Sequence, residues 1–131
     1  MSLCFPVIGW TETTATTAQP VLKYPHASIL LRGRPEDEFF RLVGGVIEAA
    51  AKDLGVNAEL IYTDRNPIVM LEKGAEILQR PEKPDYLVMI NDQDVVPRLM
   101  QQADELGVTT VLFNGALSEQ RYAEFREGKG P

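Results

Sequence analysis

The sequence predicts an α/β protein: a three-layer α/β/α sandwich with helices on both faces of a parallel sheet. Three observations predict it. A strand–loop–helix unit recurs four times between residues 26 and 126, and strands alternating with helices at this rhythm build parallel sheets. The strands read as continuous apolar runs such as YLVMI (86–90) rather than as alternating patterns, which suits strands buried on both sides. Two helices close on the same signal, DLGV and ELGV, with a glycine for the left-handed C′ position and a valine to pack back. Right-handed crossovers fix the hand, and the expected strand order is 2-1-3-4.

Each element has its own warrant. HASILL (26–31) is an apolar run fit for a first strand near 27–32. A helix beginning near Glu36 follows, and Phe39, Val43, Val46, Ala50 and Leu54 recur along it as one core-facing stripe. NAELIY is the second strand, 57–62. Asn66 is an N-cap candidate and Pro67 occupies N1 of the second helix, whose stripe is Ile68, Leu71, Ala75 and Leu78. RPEKPD breaks that helix before the third strand, 86–90. Asp92 and Asp94 in NDQD are read as capping carboxylates for a third helix carrying Val96, Leu99, Ala103 and Leu106. TTVLF (109–113) is the fourth strand, and Ser118 caps a short last helix over 121–126.

A chain of 131 residues is one domain by length. Residues 26–131 form it as a single lobe. Residues 1–25, with the Thr/Ala-rich TETTATTAQP and prolines at 6, 20 and 25, read as an extended or poorly ordered arm. The net charge of −6 and the absence of any Lys/Arg block argue against nucleic acid or an anionic membrane as partner. No apolar run approaches the ~20 residues of a membrane span, and no signal peptide is visible at the N-terminus. Cys4 is the single cysteine and His26 the single histidine, so no His/Cys metal constellation exists. No metal or cofactor is expected.

In an open α/β sheet, ligands bind outside the carboxyl ends of the strands. The loops there carry Arg32, Arg34, Asp64, Arg65, Asn91, Asp92, Gln93 and Asn114. These are donors and acceptors together, with few candidates for a nucleophile; the plainer role of each is a solvated turn or a cap. A phosphate cradle needs several glycines, whereas the first loop has Gly33 alone, followed by Pro35, Glu36 and Asp37. A phosphoacceptor site needs paired acids at the end of strand one, where this chain has Leu31-Arg32. What remains is a neutral polar ligand. A sugar offers hydroxyls to such groups and an apolar C–H face to an aromatic ring. The adjacent Phe39 and Phe40 point about 100° apart on a helix, so one can serve the core while the other faces the cleft.

The stretches ILLRGRPEDEFFRLVGGVIEAAAKDLGVNAELIYTDRN and RPEKPDYLVMINDQDVVPRLMQQADELGVTTVLFNGALS together resemble the N-terminal lobe of the type 1 periplasmic binding proteins, the sugar-binding receptors of ABC uptake systems. The resemblance covers roughly residues 27–120. It implies a flavodoxin-like lobe without catalytic activity, a sugar or related small polar ligand, a periplasmic location and an ABC permease as partner of the full-length protein. The family's ring-stacking aromatics fall on Phe39 and Phe40, and its polar strand-end positions fall on Asn91, with Asp92 beside it, and on Asn114. With Arg32 and Asp64 these form the candidate ligand-binding set. Where the family often has Asp-Arg, this chain has Asn114-Gly115, which leaves the ligand open. Such receptors have two lobes, so the chain is expected to be one truncated lobe. Its TTVLF strand would then lie at an open sheet edge without lysine, proline or charge, an invitation to homodimer pairing there or through the arm. Two other functions stay open: the ligand-sensing lobe of a transcriptional regulator or membrane sensor, and a small flavodoxin-like enzyme or interaction domain.

Overall fold

A computed structural model describes residues 23–128; most of the expected N-terminal arm and Cys4 lie outside them. The elements run β1 (His26–Leu31), α1 (Glu38–Leu54), β2 (Asn57–Tyr62), α2 (Pro67–Gln79), β3 (Tyr86–Met89), α3 (Val96–Glu105), β4 (Thr109–Leu112) and α4 (Glu119–Arg126). The sheet has the order β2-β1-β3-β4, and every pairing is parallel, with Ile29 opposite Leu60 and Val88, and Val88 opposite Val111. This is the expected α/β architecture.

Because side chains alternate across a strand, the sheet feeds two cores. Leu30, Leu87 and Met89 join Met70, Ile77 and Leu78 of α2 and Val96, Leu99 and Ala103 of α3 on one face. Ala27, Ile29 and Leu31 meet Phe40, Val43 and Ile47 of α1 on the other. Gly74 lets α2 close on α3: a Cβ there would lie 2.5 Å from Leu99 Cδ1. The α1 layer is narrower than the sheet. On that face β3 and β4 leave Tyr86 and Val111 exposed, at 41% and 42%.

The caps mostly follow the sequence. Gly55 (φ 66°) ends α1 in the left-handed conformation, and Val56 N–H donates back to Ala51 O at 2.8 Å. Gly107 (φ 72°) and the Val108-to-Ala103 bond repeat the arrangement after α3. Asn66 Oδ1 accepts from Ile68 N–H at 2.9 Å ahead of Pro67, and Ser118 Oγ accepts from Arg121 N–H at 3.3 Å.

Three expectations need correction. The first helix starts at Glu38, and of its expected stripe only Val43 packs on the core; Phe39, Val46, Ala50 and Leu54 are exposed. The buried face is instead Phe40, Val43, Gly44 and Ile47. Glycine explains the rotation. A Cβ on Gly33 would lie 1.8 Å from the Phe40 ring, and one on Gly44 would lie 2.7 Å from Tyr62 Oη and 3.1 Å from Leu60 Cδ1. The helix settles where missing side chains allow the closest approach, which a count of apolar residues does not register. Ile68 and Leu106 likewise sit exposed at the two ends of their helices. The third correction concerns Asp92 and Asp94. No side chain caps α3, whose N-cap residue is Val95; the two carboxylates face arginines instead.

Candidate functional site

The loops after all four strands meet at the carboxyl edge of the sheet. Thr63 anchors the edge: it is fully buried, and both its N–H and its hydroxyl donate to Leu31 O, at 2.9 and 3.0 Å. This ties the ends of β1 and β2 together beneath the loops. Every non-glycine residue with positive φ among the described residues lies in this region: Asp64 and Arg65 after β2, Gln93 and Asp94 after β3, and Asn114 after β4. Left-handed backbone costs a side-chain-bearing residue energy and tends to collect at functional edges. None of this curvature was expected from the sequence, since Asp and Asn announce it weakly and Arg and Gln not at all.

Four ion pairs lace the edge. Arg32 Nε lies 3.0 Å from Asp92 Oδ2, with the arginine half exposed and the aspartate 7% exposed. Its N–H is not aligned on that oxygen, so Asp92 Oδ2 has charge contact without a hydrogen bond. Arg34 pairs with Asp64 across the open surface. Arg65 reaches Asp37 at 3.0 Å, and Arg121 reaches Asp94 at 3.1 Å. The Arg34 backbone N–H, donating at 3.0 Å, is the main reason the Asp37 carboxyl stays below its usual range; burial opposes this and Arg65 adds to it. The Arg65–Asp37 and Arg121–Asp94 pairings were not legible in sequence, because their partners lie 28 and 27 positions apart.

Two residues past β3 comes Asn91, whose Nδ2 donates to Ala116 O at 3.0 Å while its Oδ1 is buried without a donor. Gly115 makes this approach possible, for a Cβ there would lie 3.1 Å from Asn91 O. Asn91 Oδ1 and Asp92 Oδ2 are therefore neighbouring acceptors that nothing aligned satisfies among the described residues. Such atoms cost stability unless another group donates to them.

The two phenylalanines divide the work. The Phe40 ring lies over Gly33, and the Phe39 ring stands edge-on to it, with centroids 5.1 Å apart and planes at 86°. Phe39 is 59% exposed. Of the expected set, Arg32 and Asp92 meet directly, Phe39 and Phe40 meet as rings, and Asp64 joins Arg34. Asn91 and Asn114 flank Gly115, and Asn114 itself is exposed. A shallow depression of about 430 Å³ at this edge is lined by Arg34, Pro35, Glu36, Tyr62 and Asp64. No group of three or more His, Cys, Asp or Glu among the described residues could hold a metal ion, and no described helix is long and apolar enough to cross a membrane.

No family model and no curated protein matches this sequence. Among solved structures, the chain is similar to a periplasmic sugar-binding protein from Pseudomonas fluorescens, at 28% identity and a TM-score of 0.69. The similarity covers 72% of this chain and 29% of that one. The described fold is thus a periplasmic-binding-protein-like lobe, and the match fits an N-terminal lobe.

Proposed function

We propose that this chain is a non-catalytic lobe that receives one face of a small polar solute, a sugar or a near relative, at the carboxyl edge of its sheet. The observation that carries the reading is the pairing of opposite chemistries there. An exposed aromatic ring, Phe39, stands at the start of α1, and the half-exposed Arg32 and the exposed Asn114 stand on the loops after β1 and β4 at the same edge. Sugar hydroxyls take hydrogen bonds from Arg32 and exchange them with the Asn114 amide, while an apolar C–H face stacks on the ring. The likeness to a sugar-binding protein supports the same ligand class. In this reading the lobe forms part of the receptor of an ABC-type uptake system, works in the periplasm and passes its ligand to a permease.

A site on one lobe leaves the other face of the ligand in water, so affinity for this chain alone is expected to be weaker than about 1 mM. Calorimetry would then register nothing, and amide chemical-shift mapping against a panel of pentoses and hexoses is the appropriate measurement. Shifts should cluster on residues 32–40, 63–66, 91–94 and 114–117 and shrink in Phe39→Ala, which loses about 1–3 kcal/mol of ring contact. Shifts that are absent at the highest soluble sugar concentrations, or that cluster at the opposite end of the sheet, would overturn the proposal.

The open edge belongs to the same reading. β4 is the last strand of the described sheet, and its Val111 is exposed. A second copy pairing along it gives a dimer mass in light scattering at micromolar concentration; a monomer mass unchanged by dilution removes that part of the proposal.

A further inference from the structure

At the opposite, amino end of the sheet lies a cavity of about 660 Å³ that the reading above does not use. Lys23, Lys52 and Lys83 line it, together with Tyr24 and Glu82. Three of the chain's five lysines therefore converge on one hollow in a protein whose carboxylates outnumber its cations, 19 to 13. None of the three is in an ion pair among the described residues, whereas Lys73, elsewhere on the surface, pairs with Glu76 at 3.1 Å.

The nearby acids are engaged. Glu59 accepts from Ser28 and Arg80. Burial pushes its carboxyl up, but these two donors outweigh that and hold it below the usual range. Asp85 accepts from the His26 backbone N–H at 2.7 Å. That leaves Glu82 as the carboxylate lining the cavity against three ammonium groups.

Local roles account for part of this placement. Lys52 lies in the last turn of α1, where a cation offsets the negative end of the helix dipole. Lys83 Nζ donates to Arg80 O at 3.3 Å. Neither role consumes the charge. Clustered cations repel one another, and no carboxylate among the described residues pairs with any of the three. The Tyr24 ring closes against Gly55, where a Cβ would lie 3.0 Å from it, and adds an apolar wall.

We infer that this cavity binds a small multivalent anion, bearing phosphate or carboxylate groups, between Lys23, Lys52 and Lys83. The site is separate from the sugar edge and stands or falls independently of it. The carbonyl end of α1 opposes an anion, so the binding is modest and carried by charge.

The test titrates the 131-residue chain with pyrophosphate and, separately, with citrate at low ionic strength, following amide shifts. Shifts around residues 23–26, 52–57 and 82–85 are expected. Lys52→Gln and Lys83→Gln should each weaken binding about fivefold, the scale of one charge at close range in high dielectric, and added salt should weaken it further. Lys73→Gln should leave it unchanged. A response to pyrophosphate alone makes the site a phosphate site, and equal responses to both anions make it a general multivalent-anion site. Absence of binding by either anion, or equal weakening by Lys73→Gln, would overturn the inference.

Discussion

Phe40→Ala should destabilise the fold by about 2–3 kcal/mol, less than the 3–5 of a fully buried phenylalanine because its ring is only half-buried. The neighbouring Phe39→Ala should stay within about 0.5 kcal/mol of the parent, as exposed substitutions do. The two positions are adjacent and chemically identical, so the difference isolates what each ring touches. Phe40 fills the space over Gly33 and packs with Ile29 and Leu31, in a cluster joined by Tyr62. Its truncation leaves a void beside the end of β1. Phe39 is 59% exposed, and the main protein contact it loses is the edge of the Phe40 ring. Urea denaturation of both variants, read by circular dichroism, measures the contrast. A larger loss for Phe39→Ala would show that the rings have the opposite assignment, and equal losses would show that the two rings share the packing.

Arg32→Ala should cost about 1–3 kcal/mol, the penalty of leaving a buried acceptor without its partner. The loss falls on Asp92, which is 7% exposed and has Arg32 as its only ion-pair partner among the described residues. Arg32 is itself half exposed, so the cost falls below the 3–5 kcal/mol of a pair buried on both sides. Adding Asp92→Asn removes the stranded charge, and the double variant should recover part of the loss. A double-mutant cycle on thermal or urea unfolding gives the coupling directly. Strictly additive effects would mean that the 3.0 Å approach carries no energy and that Asp92 is held by something else. The pair also bears on ligand. The Arg32 guanidinium, held by Asp92 and half exposed, would present its remaining N–H groups to a ligand hydroxyl.

The lysine-lined cavity and the proposed sugar site lie at opposite ends of the strands, so variants at one are internal controls for the other. Loss of sugar shifts in Phe39→Ala should leave the anion response intact. The reverse holds for Lys52→Gln.

What the sequence determined by itself was the order of elements and their ends. Four apolar runs, the Gly55 and Gly107 stops, the Asn66-Pro67 start and the Ser118 cap are local signals, each readable within a few residues of where it acts. The parallel order follows from them because short strand–helix units leave one right-handed way to pack. The candidate edge was legible for the same reason: in this topology the carboxyl-end loops meet wherever the chain leads. Only the tertiary structure decided which face of α1 is buried. The helix carries two apolar stripes, and the choice between them was made by Gly33 and Gly44, residues that act by allowing Phe40, Tyr62 and Leu60 to come close. Only it decided that Asp92 and Asp94 face Arg32 and Arg121 rather than cap α3. A carboxylate near a helix start can serve the local backbone or a distant cation. The outcome depends on which cation the fold brings within about 3 Å, and no local pattern records that distance.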